Sequence, residues 1–164
     1  MLLLFQLILY CLLFLALVKY AVKDSGRNCL YFYPQEFLDE AQRRGIIADK
    51  DTEMRKGKRF MTVFCLVIFA ALLAIIAGWN RVTDLKTAYW QAYLFLVVMN
   101  WFDGIMLDRV WVGHSKIWEI KGMEGIPYIK PWKTVLTKRG LATILYLIIA
   151  LVTAGIVVLV GKIC

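Results

Sequence analysis

Four long apolar stretches divide the chain, at residues 2–18, 60–79, about 88–107 and 141–160. Within each, apolar positions run on without the alternation in twos that marks a barrel strand, and unbroken runs of this kind favour helices. Each reaches or nearly reaches the ~20 residues with which a helix crosses ~30 Å of hydrocarbon. The pattern predicts an all-α membrane protein with four transmembrane helices, spanning about 2–19, 60–79, 88–108 and 141–160. Residues 1–164 then form a single polytopic membrane domain, a four-helix bundle with loops at 20–59 and 109–140. A cleaved leader would carry a basic start and a small-x-small site. No Lys or Arg precedes Lys19, and "LVKYAVKD" offers no clean site, so the first run is expected to remain as a helix.

The loop after the first run is long enough for structure of its own. "YPQEFLDEAQRRGII" predicts a short helix: Pro34 suits its first position, and Glu36 and Arg43–Arg44 match the helix dipole at the two ends. Gly45 is placed to stop it in a left-handed conformation. Phe37, Leu38 and Ala41 make a narrow apolar face that lies on the membrane or the bundle, with docking of another protein as the sharper alternative. Asp49 or Asp51 caps a further helix that runs into the second span, and Asp51 precedes Arg55 by one turn. The second loop holds Gly122, Gly125, Pro127 and Pro131 and reads as turns. Its glycine spacing fits no phosphate loop. Trp111, Trp118 and Trp132 are expected to anchor at the membrane interface.

Composition strengthens this picture. The chain is 61% hydrophobic, above the roughly half that is usual for soluble domains. Charge adds orientation. Ten of the twenty Lys and Arg residues lie between the first two runs, two between the second and third, and seven between the third and fourth. The positive-inside rule puts the two basic loops, 20–59 and 109–140, in the cytoplasm and both termini outside, Cys164 included. The net charge of +8 is then accounted for by anionic lipid headgroups at the cytoplasmic face. No stacking motif accompanies the basic residues, so no nucleic-acid partner is expected.

The third run poses a chemical problem. "NWFDGIMLDRVWVGH" carries Asn100, Asp103, Asp108 and, further on, His114. At 100° per residue, Asn100 and Asp103 share one face, Asp108 is turned about 140° from Asp103, and His114 returns beneath Asp103. Asp108 is expected to pair with Arg109 near the headgroups. Asp103 lies one to two turns inside, where an ionised carboxylate costs on the order of 3 kcal/mol. It must be neutral, paired or facing a polar cavity, with Asn100, Thr143, Tyr146 or Tyr10 as candidate partners. Alternatively the "DG" turn ends the helix near Phe102 and leaves Asp103 at the interface. Asn100, Asp103, Asp108 and His114 are the candidate ligand or ion site. No catalytic residue, metal ligand or cofactor is assigned.

Small residues recur at Ala70, Ala74 and Gly78 on the second run and at Ala150 and Ala154 on the fourth, a spacing that lets helices come close. Cys11, Cys29, Cys65 and Cys164 form no C-x-x-C pair or zinc spacing. Together, "YPQEFLDEAQRRGIIADKDTEMRKGKRF", "NWFDGIMLDRVW" and "KGMEGIPY" resemble small four-span integral membrane proteins of bacteria, Gram-positive ones especially. The resemblance implies a bacterial plasma membrane and brings no catalytic residues with it. Three functions are consistent with these features. The first is a membrane accessory or assembly protein, self-associating as a homo-oligomer or bound to a larger membrane complex. The second is a small oligomeric transporter or channel using Asn100 and Asp103. The third is a lipid-acting enzyme drawing acid–base groups from Asp103, Asp108, His114 and Glu119.

Overall fold

The structure, a computed structural model, describes residues 1–23 and 25–163. The described residues are helical, with no strand among them. Helix α1 runs Leu2–Val22, followed by a 3-10 segment Gly26–Phe32 and the short α2, Gln35–Arg43. Helix α3, Lys50–Leu73, continues in wider π-type turns over Ala74–Trp79. Helix α4, Leu85–Phe102, likewise continues in π-type turns over Asp103–Trp111. A single turn α5 (Val112–His114), a 3-10 turn Lys116–Trp118 and a looped stretch lead to α6, Trp132–Ile163.

Three of these helices are long and apolar enough to cross a membrane: Leu2–Val22, Lys50–Trp79 and Trp132–Gly161. This corrects the expectation of four on length and composition alone. The third run falls short because Lys86, Gln91 and Asn100 dilute it. It is also the helix most enclosed by others, packing on α1 and along α6. Ala88, Ala92 and Phe95 are fully buried there. Outward-facing positions elsewhere, such as Leu12, Leu66, Ile144 and Ile148, are more than half exposed. An apolar exterior of this extent marks a membrane surface. The expected external Cys164 lies outside the described residues.

Aromatic contacts and close helix packing hold the bundle together. Tyr10 of α1 meets Phe95 of α4 edge-on at 5.4 Å, and Phe14 meets Phe64 of α3 at 5.0 Å. At one end Gln6, Asn80 and Gln91 close a hydrogen-bonded knot, which leaves the fully buried Gln6 amide paired. Helices α4 and α6 run antiparallel. Asn100 faces Thr143, and Gly161 faces Thr83. That register sets Ala88 and Ala92 level with Ala154 and Ala150, all fully buried, so small residues meet small residues along the seam. The stripe on α3 behaves differently: Ala70, Ala74 and Gly78 are exposed, and a Cβ on Gly78 would meet nothing within 4 Å. These three face outward from the chain.

The two basic segments share one end of the bundle. The Tyr33 hydroxyl donates to the Trp118 carbonyl at 2.7 Å, and Arg44 donates to the Gly122 carbonyl at 2.9 Å. Between them, α2 forms as expected over Phe37, Leu38 and Ala41, all at most 1% exposed, so its apolar face packs on the protein. Pro34 stands one place earlier than expected, as the N-cap, and Gly45 is left-handed at φ 69°. Asp49 caps α3 by accepting from the backbone of Asp51 and Thr52. Arg55 turns to Asp49 at 3.6 Å, not to Asp51. Trp118 is 3% exposed, beside Tyr33, Phe32 and Trp111. It is a core residue and not the interfacial anchor expected. Trp132 is about half exposed.

Candidate functional site

The π-type stretch of α4 builds the site. In wider turns, backbone bonds run from i to i+5, so residues five apart come into line. Asp103 and Asp108, which a regular helix would set on different faces, are thereby brought to one guanidinium. Arg139 Nη2 lies 2.6 Å from Asp103 Oδ2 and 2.6 Å from Asp108 Oδ2. Lys130 Nζ donates to the other Asp108 oxygen at 2.7 Å. Asn100 completes the cluster. Its carbonyl oxygen accepts from Arg139 Nη1 at 3.3 Å, and its amide donates to the Arg139 backbone carbonyl at 3.0 Å and to Thr143 at 3.4 Å. Trp101 Nε1 also donates to Thr143.

Gly104 makes this approach possible. A Cβ there would come within 2.9 Å of both Cγ and Nε of Arg139. The side chains of the four charged residues are only 15–27% exposed, so these are partly buried pairs and not solvated surface contacts. Two carboxylates against two cations leave the cluster without net charge. That balance matters, because one uncompensated buried ion costs several kcal/mol.

Above the cluster is a cavity of about 320 Å³ between α1, α3, α4 and α6. Phe14, Phe64 and Met99 form its apolar wall, while Asn100, Asp103 and Arg139 stand at its polar end. Trp118, Tyr33 and Tyr128, from the basic segments, also line it. Met61 and Cys65 of α3 line it and are exposed, so the cavity reaches the outside of the bundle. The closest approach of α6 to the second spanning helix is along Ala74–Trp79, away from this opening. Two buried donors lack acceptors among the described residues: Trp118 Nε1 and Arg139 Nε.

No family model, curated protein or solved structure matches the chain.

Of the four residues singled out in the sequence, Asn100, Asp103 and Asp108 are brought together. His114 is not. It is exposed, and its ring nitrogen stands 2.8 Å from the Val110 carbonyl oxygen of its own helix. The π-type turns change the rotation that would have returned it beneath Asp103. Asp108 does not pair with Arg109, which donates to the Lys130 carbonyl and lies over the Trp132 ring at 4.6 Å. Nor does the helix stop at Phe102: its regular turns end there, but the wider ones carry on. Asn100 reaches Asp103 through Arg139, not directly. Tyr10 donates to the Ile68 carbonyl instead.

Arg139, Lys130 and Trp118 were not anticipated as site residues. Arg139 stands two residues before the fourth apolar run and reads as a loop residue. Pro131 carries the missing signal, since proline favours helix starts. A helix beginning at Trp132 puts Arg139 about two turns along it, level with Asn100. Among the described residues, no group of three or more His, Cys, Asp or Glu side chains is arranged to hold a metal ion.

Proposed function

We propose that the chain is a four-span protein of the plasma membrane that binds a lipid-like amphiphile in the cytoplasmic half of its bundle. In this role it is an accessory component of a larger membrane system. The observation that carries the proposal is the cavity, with an apolar wall and an ion-paired end that opens between α3 and α6. A polar head and an apolar tail match those two surroundings.

Passage through the bundle is less well supported. Beyond the cavity the centre is filled by Tyr10, Leu72 and Phe95, each at most 1% exposed. Lipid chemistry is also less well supported, because both aspartates are tied in ion pairs and His114 stands apart. Native mass spectrometry of protein extracted in mild detergent tests the binding. The parent should retain amphiphile, and Met99→Trp, which fills the cavity, should lose it. Equal retention by both would remove the basis for this function.

The fourth crossing is assigned to α4 with its π-type extension. From the exposed Trp90 to Phe102 its regular turns rise about 18 Å at 1.5 Å per residue, and the wider, shorter-rising turns to Trp111 carry it most of the remaining way across the ~30 Å of a bilayer core. Both basic segments then lie on the cytoplasmic side and both termini outside. An impermeant thiol reagent applied to intact cells should label Lys86→Cys and spare His114→Cys, measured against the parent. The reverse pattern refutes the orientation.

A second reading, self-association, is favoured by one observation. The Ala70, Ala74 and Gly78 stripe is exposed on an otherwise apolar helix, open to a second copy of this chain or to a membrane partner.

A further inference from the structure

We propose that the amphiphile taken up by the cavity carries an uncharged aromatic ring at its head, with the chemistry of a quinone on an apolar tail. This rests on the amphiphile-binding reading above.

The lining of the cavity differs from the surface that faces lipid. Outward positions such as Leu4, Leu12, Leu66, Ile144 and Ile148 are aliphatic and more than half exposed. Of the nineteen side chains around the cavity, eight are aromatic and only Val18, Leu107 and Val112 are aliphatic. The chain as a whole is 14% aromatic, so rings are concentrated at this one place. An acyl chain needs no rings, and the aliphatic exterior already serves it.

The rings also form one continuous wall. Phe14 meets Phe64 at 5.0 Å, Phe64 meets Phe60 at 5.5 Å, Phe60 meets Phe32 at 5.8 Å, and Phe32 meets Trp118 at 6.5 Å. Phe32 and Phe60 are only half-buried, so their rings keep surface for a ligand. A flat ring gains edge-to-face and offset contacts from such a wall, beyond those of buried area alone. Met61 and Met99 add thioether sulfur to the lining, which also packs well on rings.

The polar end sets the charge of the head. Asp103, Asp108, Arg139 and Lys130 sum to zero, so a singly charged head of either sign would stand there uncompensated. Neutrality alone still admits an uncharged or a doubly charged head. Hydration separates the two. A phosphoester with its ammonium must exchange a full water shell for protein partners. Here Asn100, Asp108, Arg139 and Lys130 are already bonded to one another or to backbone, and offer little in exchange. A ring carbonyl asks for a single donor, and Tyr146 supplies it. Tyr146 stands two turns from Arg139 on the same face of α6, lines the cavity and is half-buried. Its hydroxyl lies within electrostatic reach of Arg139, Asp103 and Cys65, all in the same lining, and makes no hydrogen bond among the described residues. The opening at Met61 and Cys65 lets the tail continue into the bilayer.

The test uses full-length protein stripped of lipid in a neutral maltoside detergent. Three probes with ten-carbon tails are titrated at fixed detergent concentration: decylubiquinone, monodecanoylglycerol and decylphosphocholine. Binding is read by native mass spectrometry and by thermal shift. The quinone should bind at least about tenfold more tightly than either of the others. Tyr146→Phe keeps the ring and removes a donor that has no partner in the free protein. It should leave thermal stability unchanged and weaken quinone binding about tenfold. Phe60→Leu keeps an apolar side chain and removes a ring from the wall. It should weaken the quinone and leave monodecanoylglycerol binding unchanged. Equally tight binding of monodecanoylglycerol or decylphosphocholine overturns ring selection while leaving an amphiphile site in place, provided Met99→Trp abolishes it. Quinone binding unaltered by Tyr146→Phe, Phe60→Leu and Met99→Trp places the ligand elsewhere and sinks the proposal. If none of the three binds, the amphiphile reading falls and takes this inference with it.

Discussion

Arg139 Nη2 lies 2.6 Å from a carboxylate oxygen of Asp103, joining the start of α6 to the widened end of α4. Neither residue is explicable alone. A carboxylate inside an apolar run and a guanidinium two turns into a spanning helix would each carry a heavy insertion cost. Paired, and with Asp108 and Lys130 completing the balance, they fix the register of two helices that otherwise meet through the Asn100 and Trp101 hydrogen bonds to Thr143 and along a seam of small residues.

Removing the arginine should therefore be damaging. Arg139→Met leaves Asp103 without a cation while Asp108 keeps Lys130, and breaking a buried pair costs about 3–5 kcal/mol. Adding Asp103→Leu removes the stranded charge and should recover part of that loss. Unfolding in detergent would measure both variants. Losses that simply add would show that the two side chains do not act as a pair.

Gly104→Ala tests the close approach. Alanine ordinarily stabilises a helix interior by roughly 1 kcal/mol over glycine. Here its Cβ would fall 2.9 Å from Arg139 Cγ and Nε, so the side chain must shift and the cluster with it. The clash should outweigh the propensity gain, for a net loss of about 1–2 kcal/mol. A rise in melting temperature would show that Arg139 yields without loss.

The loop contact has a pH signature. Burial pushes the Tyr33 hydroxyl up from its ordinary value of 10.0, with Tyr128 and Cys29 adding to the rise. A group raised in the folded state contributes stability that is complete below about pH 10. That stability is lost as pH climbs through the raised folded value. Tyr33→Phe should remove this alkaline loss. It should also cost about 1 kcal/mol at neutral pH by leaving the Trp118 carbonyl without its donor. The difference between parent and variant melting temperatures, followed from pH 7 to 11, should shrink as pH rises. A constant difference would dissociate the hydroxyl from the alkaline transition.

Three of the four long helices were legible because crossing a membrane demands a coarse pattern, about twenty apolar residues in a row, and the third run falls short of it. The short helix α2 was legible because its end and its apolar face obey local rules: Gly45 at its end, and Phe37 and Leu38 beneath it. Asn100 and Asp103 stood out because polarity inside an apolar run is costly. The partners did not stand out. Arg139 looked like loop because the apolar run begins after it, although the helix begins at Trp132. Asp108 appeared to face away because the rotation assumed 100° per residue, and nothing in the local composition announces a π-type turn. Trp118 resembled an interfacial anchor because its burial depends on Tyr33 and Phe32, far away in sequence.

The small residues give the last test, in which two stripes of equal appearance should behave differently. Ala92 is fully buried on α4, level with Ala150 of α6 across the seam. Ala92→Leu inserts three carbons between closely spaced backbones and should destabilise the monomer fold by about 1–3 kcal/mol. Ala74 is exposed where α3 passes into its π-type turns. Ala74→Leu should leave the melting temperature of dilute, detergent-solubilised monomer unchanged. It should lower the fraction of higher-order species seen by crosslinking in native membranes, because a bulkier side chain holds a second helix away. Equal crosslinking in parent and variant would mean that this face looks only at lipid. A drop in monomer stability from Ala74→Leu as large as that from Ala92→Leu would mean that the stripe packs within the chain after all.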